Sequence, residues 1–414
     1  MNKLKYIFIL PILFGFAACS DYVTEVDPFI DRVTDVGLNG ETYVDGLIIG
    51  LENQANWAID DAMVNADGLS DALIFDRRNA NATFSGLENS DLGLPQDTDG
   101  EFSGPFTQLH ELRVQADTLI YRINNKITFT NVAIKNRGLY SANLWSGVAN
   151  FYLGAYYGKS VTVGGSPINK GRFYTTTELY NIAITKWKEA LKYTTDAVQI
   201  KVVNSLMAKV YLCMKDYTNA ATSANLGLKK GDAALTLKYN VTNNSAYRST
   251  AGDSRTQFSL DPRFKAYTVA DATEKNRIKF TSFTGTAGFI YDSQRKYVLT
   301  GSDVTPIEVV DWLEVNLIRA ELILRGAAAG DALALVNEVR TQGGVGVKVA
   351  GTVLSILPET GKYSIYEERD KALWLRGLRI LDQIRLDKWH LPAGTWKWFQ
   401  IPYTEKQKNP NWDK

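Results

Sequence analysis

The sequence predicts a mainly α-helical, tetratricopeptide-like repeat scaffold, interrupted by one irregular, loop-rich excursion. Two observations carry the scaffold. Ala208 and Ala220 stand twelve residues apart, as do Ala320 and Ala332, so two separate segments place small residues at the same spacing. Two antiparallel helices approach closely only where small side chains meet at their crossing, and an aromatic such as Tyr211 fills the groove beside it. A third observation marks the excursion. Across 235–304 the helical period disappears, and rings alternate with Asn, Ser, Thr, Gly and Arg.

Taken in order, the chain starts with Lys3 and Lys5, followed by an apolar run over 6–16. That run has the length of a signal-peptide core and falls short of the ~20 apolar residues that span a bilayer. It ends at Phe16-Ala17-Ala18-Cys19, which resembles a bacterial lipobox with Phe16 in place of the usual Leu. The expectation is cleavage after residue 18 and acylation of Cys19, which would tie the chain to outer-membrane lipid. Residues 19–42 read as a polar tether without periodicity, and 43–414 as one helical domain.

Within 44–65, Leu47, Leu51, Ala55, Ala58, Ile59 and Ala62 recur at three and four, the period of an amphipathic helix. Residues 66–106 carry Gly68, Gly86, Gly93, Pro95, Gly100, Gly104 and Pro105 and read as an extended surface stretch. Helical periods return over 109–123 and 134–157. The helix pairs then fall at 204–228 and 316–340, with a third pair, 142–157 and 178–195, split by a long loop. Cys213 shares a helical face with Met207, Val210 and Met214 and reads as a buried apolar residue. With Cys19 acylated it has no disulfide partner.

Composition narrows the function. Lys and Arg total 46 against 45 Asp and Glu, a net charge of +1, so nothing electrostatic favours nucleic acid. The two histidines, His110 and His390, lie far apart, and no His/Cys cluster has metal-ligand spacing. There is no nucleophile elbow, and Gly343-Gly344-Val345-Gly346 follows a helix, the wrong context for a phosphate cradle. No catalytic residue, metal or cofactor is expected. The 9 Trp, 21 Tyr and 17 Phe are core or ligand platforms. Flat rings beside short amides and guanidiniums suit polar ligands. We therefore expect Trp57, Arg77, Arg78, Phe84, Phe102 and Phe106 to converge with Tyr247, Phe283, Phe289 and Tyr291 on one shallow binding site.

The C-terminal third carries a resemblance. Residues 365–385 hold Glu368-Arg369, Leu373, Gly377, Arg379 and Asp382, followed by Trp389, Ile401-Pro402, Glu405 and Asn409-Pro410-Asn411. This order is similar to that of the SusD/RagB family of nutrient-binding outer-membrane lipoproteins. Upstream, Pro167, Arg172, Glu178-x-Tyr180, Asp261-Pro262-Arg263, Ala320-Glu321 and Asn337-x-x-Arg340 fit the same pattern, whereas Ala372 and Arg376 stand where the family usually has Glu. On their own spacing, the charges of 365–385 read as one helix's surface ion pairs. The resemblance implies a SusD-like fold and a cell-surface protein that hands oligosaccharides, or in some members peptides, to a SusC-like TonB-dependent transporter. A structural repeat lipoprotein of outer-membrane assembly and an α-helical glycoside hydrolase are the competing readings.

Overall fold

The computed structural model describes residues 34–79, 82–240, 242–252, 256–285, 288–297, 299–300 and 303–414. The basic start, the apolar run and Cys19 lie outside the described residues. Among those described, no helix is long and apolar enough to cross a membrane.

Helix α1 (Val44–Leu69) is the spine of the molecule: Val44, Ile48, Leu51, Ala55, Ala58, Ile59, Ala62, Met63, Val64, Ala66 and Leu69 are buried, while Ile49 and Trp57 face outward. The stretch expected to be extended departs from the prediction. Helix α1 runs on to Leu69, a strand forms at Leu73–Phe75, and a short helix α2 (Ser85–Asp91) follows. Helix α3 (Gly100–Asn125) already begins at Gly100. Gly104 and Pro105 are absorbed into its second turn, where Pro105 lacks the N–H that would meet Glu101 O, and the Asn65 side chain donates to that carbonyl at 2.9 Å instead.

Helices α3 and α4 (Val132–Tyr156) pack side by side and against α1. Helix α5 (Thr176–Ala190) packs on α4, with Gly147 directly under Trp187, whose indole N–H donates to Leu144 O at 3.1 Å. The loop between α4 and α5 supplies three strands of a four-stranded sheet ordered Phe399–Gln400, Tyr157–Ser160, Val163–Pro167, Phe173–Thr175, whose Phe399–Gln400 strand draws the C-terminal segment into the repeat.

The predicted pair at 204–228 is α6 (Ala197–Cys213) with α7 (Tyr217–Leu226), and Ala208 and Ala220 are both fully buried. The pair at 316–340 is α10 (Trp312–Leu324) with α11 (Ala332–Gln342), where Ala320 is fully buried and Ala332 nearly so. Asp196, Asp216, Asp311 and Asp331 each cap one of these four helices through a side-chain oxygen, which satisfies an otherwise orphan N–H. Cys213 packs at the core's edge, and burial pushes its thiol up to about 12, so it is no nucleophile at neutral pH.

The excursion is more ordered than expected. It holds helices α8 (Ala246–Ala251) and α9 (Pro262–Ala270), a strand at Phe258–Leu260 paired with Leu73–Phe75, and a hairpin of Phe280–Thr284 with Ile290–Gln294. Buried acids of α1 moor it. Asp60 accepts from Ala246 N at 2.8 Å, and Asp67 accepts from the Tyr247 hydroxyl at 2.5 Å.

Residues 365–385 form two short helices rather than one. Helices α12 (Ile365–Ala372) and α13 (Arg379–Arg385) are separated by a turn in which Leu375 and Gly377 have φ of 54° and 65°. Gly377 is required there twice over. Its φ is left-handed, and a Cβ would lie 2.3 Å from the Tyr156 hydroxyl, which donates to Gly377 O at 2.9 Å. Helix α14 (Tyr403–Lys408) closes the chain.

The charges of this segment are not on the surface either. Glu368 is fully buried between Arg277 and Arg340, at 2.6 Å and 3.0 Å. Asp370 is bound by Arg263 at 2.8 Å, and Glu321 by Arg385 at 2.6 Å. Arg369 binds Asp382 at 2.7 Å. Even Arg376, on the turn, is buried and pairs with Asp311 at 3.1 Å. The segment therefore clamps the excursion to the last repeat through ion pairs sealed from water.

Candidate ligand-binding surface

The hairpin sets up a row of rings. Antiparallel register places Phe283 opposite Tyr291, and the amide of Gly285 closes the turn by donating to Phe289 O at 2.6 Å. Opposed residues in such a pair project from the same face. Phe283 and Tyr291 accordingly stack with centroids 5.7 Å apart and planes at 25°. Phe289 extends the row from the turn, 6.2 Å from Tyr291 and inclined by 21°. At the base of the hairpin, Gln294 is fully buried and its amide donates to Tyr297 O at 3.0 Å, which fixes the hairpin to the excursion's core.

A guanidinium stands over each end of the row. Arg78 lies 3.9 Å from the Phe289 centroid, and Arg295 lies 5.2 Å from that of Phe283. Arg78 comes from the loop after the Leu73–Phe75 strand, where Asp76 accepts from its backbone at 2.9 Å and its side chain at 2.5 Å. That loop is tied to the excursion. Asn79 donates to Thr256 O at 3.1 Å, and the amides of Thr83 and Phe84 donate to Gln257 Oε1 at 2.8 and 3.1 Å. Phe283 is 37% exposed, Phe289 and Tyr291 are half-buried, and the Tyr291 hydroxyl has no partner among the described residues. The result is a shallow apolar strip with hydrogen-bonding groups at its ends, suited to a ligand with both apolar faces and hydroxyls.

The expected residues divide. Arg78, Phe283, Phe289 and Tyr291 come together from the two stretches. Arg77 lies beside them but pairs with Glu88, and Phe84 is half-buried against the core. Trp57 is exposed on α1, away from the strip. Phe102, Phe106 and Tyr247 are corrections, being 2%, 5% and 0% exposed. Phe102 stacks on Phe399 at 4.4 Å, Phe106 packs edge-on against Tyr157, and Tyr247 is spent on Asp67. For Phe102 and Phe106 the neighbouring Gly100 and Gly104 suggested surface, yet both glycines lie within α3, whose inner face carries the rings. Arg295 and its partner Thr281, 3.2 Å away, were missed. Alternation along 281, 283, 291, 293 and 295 is the signal that reveals them.

Burial pushes His110 down to about 3 and His390 to about 4, with nearby arginines adding to each shift. Of the acids close to the strip, Asp76 is bound to Arg78, and Asp292 is on the opposite face beside Ser282. Among the described residues, no group of three or more His, Cys, Asp or Glu could hold a metal ion.

Sequence models of protein families give no match to this chain, nor do curated sequences. Solved structures do. A SusD superfamily protein from Bacteroides thetaiotaomicron superposes with a TM-score of 0.72 at 17% identity, over 90% of this chain and 98% of its own. The chain has the SusD-like fold. Surface glycan-binding protein A from the same organism, solved in complex with laminarihexaose, superposes with a TM-score of 0.68 at 15% identity, over 90% of this chain and 98% of its own. A SusD-like carbohydrate-binding protein from Bacteroides vulgatus gives 0.68 at 15% identity, over 90% and 97%. The SusD-like fold accounts for the helix pairs, and here it presents the ring strip on an excursion clamped to them.

Proposed function

We propose that this chain is a surface lipoprotein that captures oligosaccharides on the Phe283–Tyr291–Phe289 strip and delivers them intact to a TonB-dependent outer-membrane transporter. The observation that carries the reading is the strip itself, three rings in a row with an arginine at each end. A sugar's C–H face lies flat on such rings while its hydroxyls reach the guanidiniums and the Tyr291 hydroxyl. The binding is shallow, so affinity is modest and release into a channel is easy. Support also comes from the SusD-like fold, which it shares with a protein solved holding a glucan hexamer. Delivery without cleavage is consistent with a strip whose nearest carboxylates are occupied or turned away, since glycoside hydrolysis needs two acids across the bond.

Calorimetry against a panel of neutral and acidic oligosaccharides and peptides tests the reading. Phe283→Ala, Phe289→Ala and Tyr291→Ala are each expected to weaken glycan binding by about 1–3 kcal/mol. Affinity and stoichiometry left unchanged in the triple variant refute the strip, and shortened sugars in the product would mark a hydrolase. We propose further that Cys19 is acylated and holds the protein at the outer membrane. Fatty-acid labelling should be lost in Cys19→Ala, and equal label in both chains would overturn the anchor.

A further inference from the structure

We infer a second saccharide site, distinct from the ring strip, in a cavity of about 330 Å³ between α1, α4 and the residues at 234–240 and Asn243. Its shape is built in. The Asn56 side chain brackets the backbone of Lys238, donating to its carbonyl at 2.7 Å and accepting from its N–H at 3.1 Å, which holds the segment off α1 as a strand would be held. At the cavity floor is Trp145, only 4% exposed. The indole N–H of Trp187 donates to Leu144 O, whereas that of Trp145 donates to no group among the described residues. Trp145 lines the cavity, which is the open space beside its ring. A buried indole N–H usually finds an acceptor, and here the cavity must supply it.

The walls supply complementary groups. Asn240 spends its side-chain oxygen on Thr242 and on the Asn243 amide at 2.8–2.9 Å, leaving its NH₂ without a partner among the described residues. The side-chain amides of Asn53 and Asn243 are equally uncommitted there. At the rim, Lys238 and Glu52 each lack an ion pair among the described residues. One cation balanced by one anion, among amides that both donate and accept, selects a neutral polyhydroxylated ligand over an anion. The volume lies at the lower end of the ~300–1,000 Å³ of small-molecule sites, so the occupant is a sugar unit or two.

This site does not depend on the ring strip. Along α1, Asn56 lies twelve residues from Gly68, against which Phe258 of the excursion packs, and at 1.5 Å per residue that is about 18 Å.

The experiment labels the full-length chain with 5-fluorotryptophan and follows the ¹⁹F resonance of Trp145. Trp145→Phe assigns it, and Tyr239→Phe, altering a ring on the same cavity wall, provides a second assignment if the core change disturbs folding. The titrations use glucose, galactose, mannose and N-acetylglucosamine in a Phe283→Ala/Phe289→Ala/Tyr291→Ala background, so that failure of the strip and failure of this site are separable. The expected result is a saturable shift of the Trp145 resonance with at least one neutral sugar. In Asn53→Ala/Asn240→Ala its midpoint should rise about tenfold or more, the loss of roughly 1.4 kcal/mol of hydrogen bonding. No shift with any sugar overturns the site. A shift with inorganic phosphate, glucuronate or glycylglycine but not with neutral sugars overturns the ligand class.

Discussion

Residues 365–385 bury their charges, whereas the hairpin at 280–294 exposes its rings. In the first segment Glu368, Asp370, Arg376 and Arg385 are all 6% exposed or less. In the second, Phe283 is more exposed than any of them. Burial works to raise Asp370 and Glu321, yet the guanidiniums around them win and hold each at about 2. Removing ions from water is costly, and it is recovered only where partners are placed well on every side. Such a cluster tolerates little change and leaves a recognisable motif. The rings of the hairpin make few demands on one another, and a row of this kind can be rebuilt from different residues in different loops. The motif therefore marks the clamp, while the candidate ligand surface carries none.

Removing one member of the clamp should give the largest effect. Glu368→Ala leaves the buried Arg277 and Arg340 sharing Glu274 and should cost about 3–5 kcal/mol in denaturant unfolding. Glycan affinity of the folded fraction should be unchanged. A loss below 1 kcal/mol would mean that water reaches the cluster and that the contrast between the two regions is false.

Acidity separates the clamp from the acids of α1. Asp370 has a folded value of about 2 against an ordinary 3.8, so its contribution is full above 3.8 and is lost as pH falls toward 2. Asp61 behaves in the opposite sense. Burial pushes it up to about 7, so the folded state favours its protonated form, and stability is lost as pH rises from about 4 through 7. Asp61→Asn should flatten the melting temperature between pH 5 and pH 8 and exceed the parent at the upper end. Parallel curves for the two chains would show that Asp61 is well solvated. Asp60, raised to about 8 by burial, and Asp67 and Asp91, each raised to about 7 by burial, contribute to the slope that remains.

The smallest stability effect belongs to the hairpin. Phe283→Ala should change unfolding free energy by no more than about 0.5 kcal/mol, as expected for a surface position. Phe264→Ala, a fully buried ring in the same excursion, should cost about 3–5 kcal/mol. Comparable losses in the two would place Phe283 in the core and remove it from the ligand surface.

Much of the scaffold was legible beforehand because it rests on local rules. The three-and-four recurrence in 44–65 and the twelve-residue spacing of alanines are properties of neighbours along the chain, and each predicted the element that forms. Gly377 was legible as part of a motif, although its reason, the approach of Tyr156 from over two hundred residues away, was not. The candidate surface was legible in part. Phe283, Phe289 and Tyr291 stood out as rings in polar context, but the same reading also selected Phe102, Phe106 and Tyr247.

The sequence by itself determined the helical class, the repeat pairs, the absence of metal-ligand spacing and the similarity to a nutrient-binding family. These follow from periodicity, capping and the order of residue types, which are written along the chain. The tertiary structure alone decided which rings face water and which charges do not, since burial depends on what packs from elsewhere. Phe102 is core because Phe399 covers it, and Glu368 is sealed because Arg277 and Arg340 arrive from the excursion and the last repeat. Arg78 meets Phe289 only because hydrogen bonds from Asn79 to Thr256 and from the Thr83 amide to Gln257 bring the two stretches together across some two hundred residues of chain, a closure that no local pattern encodes.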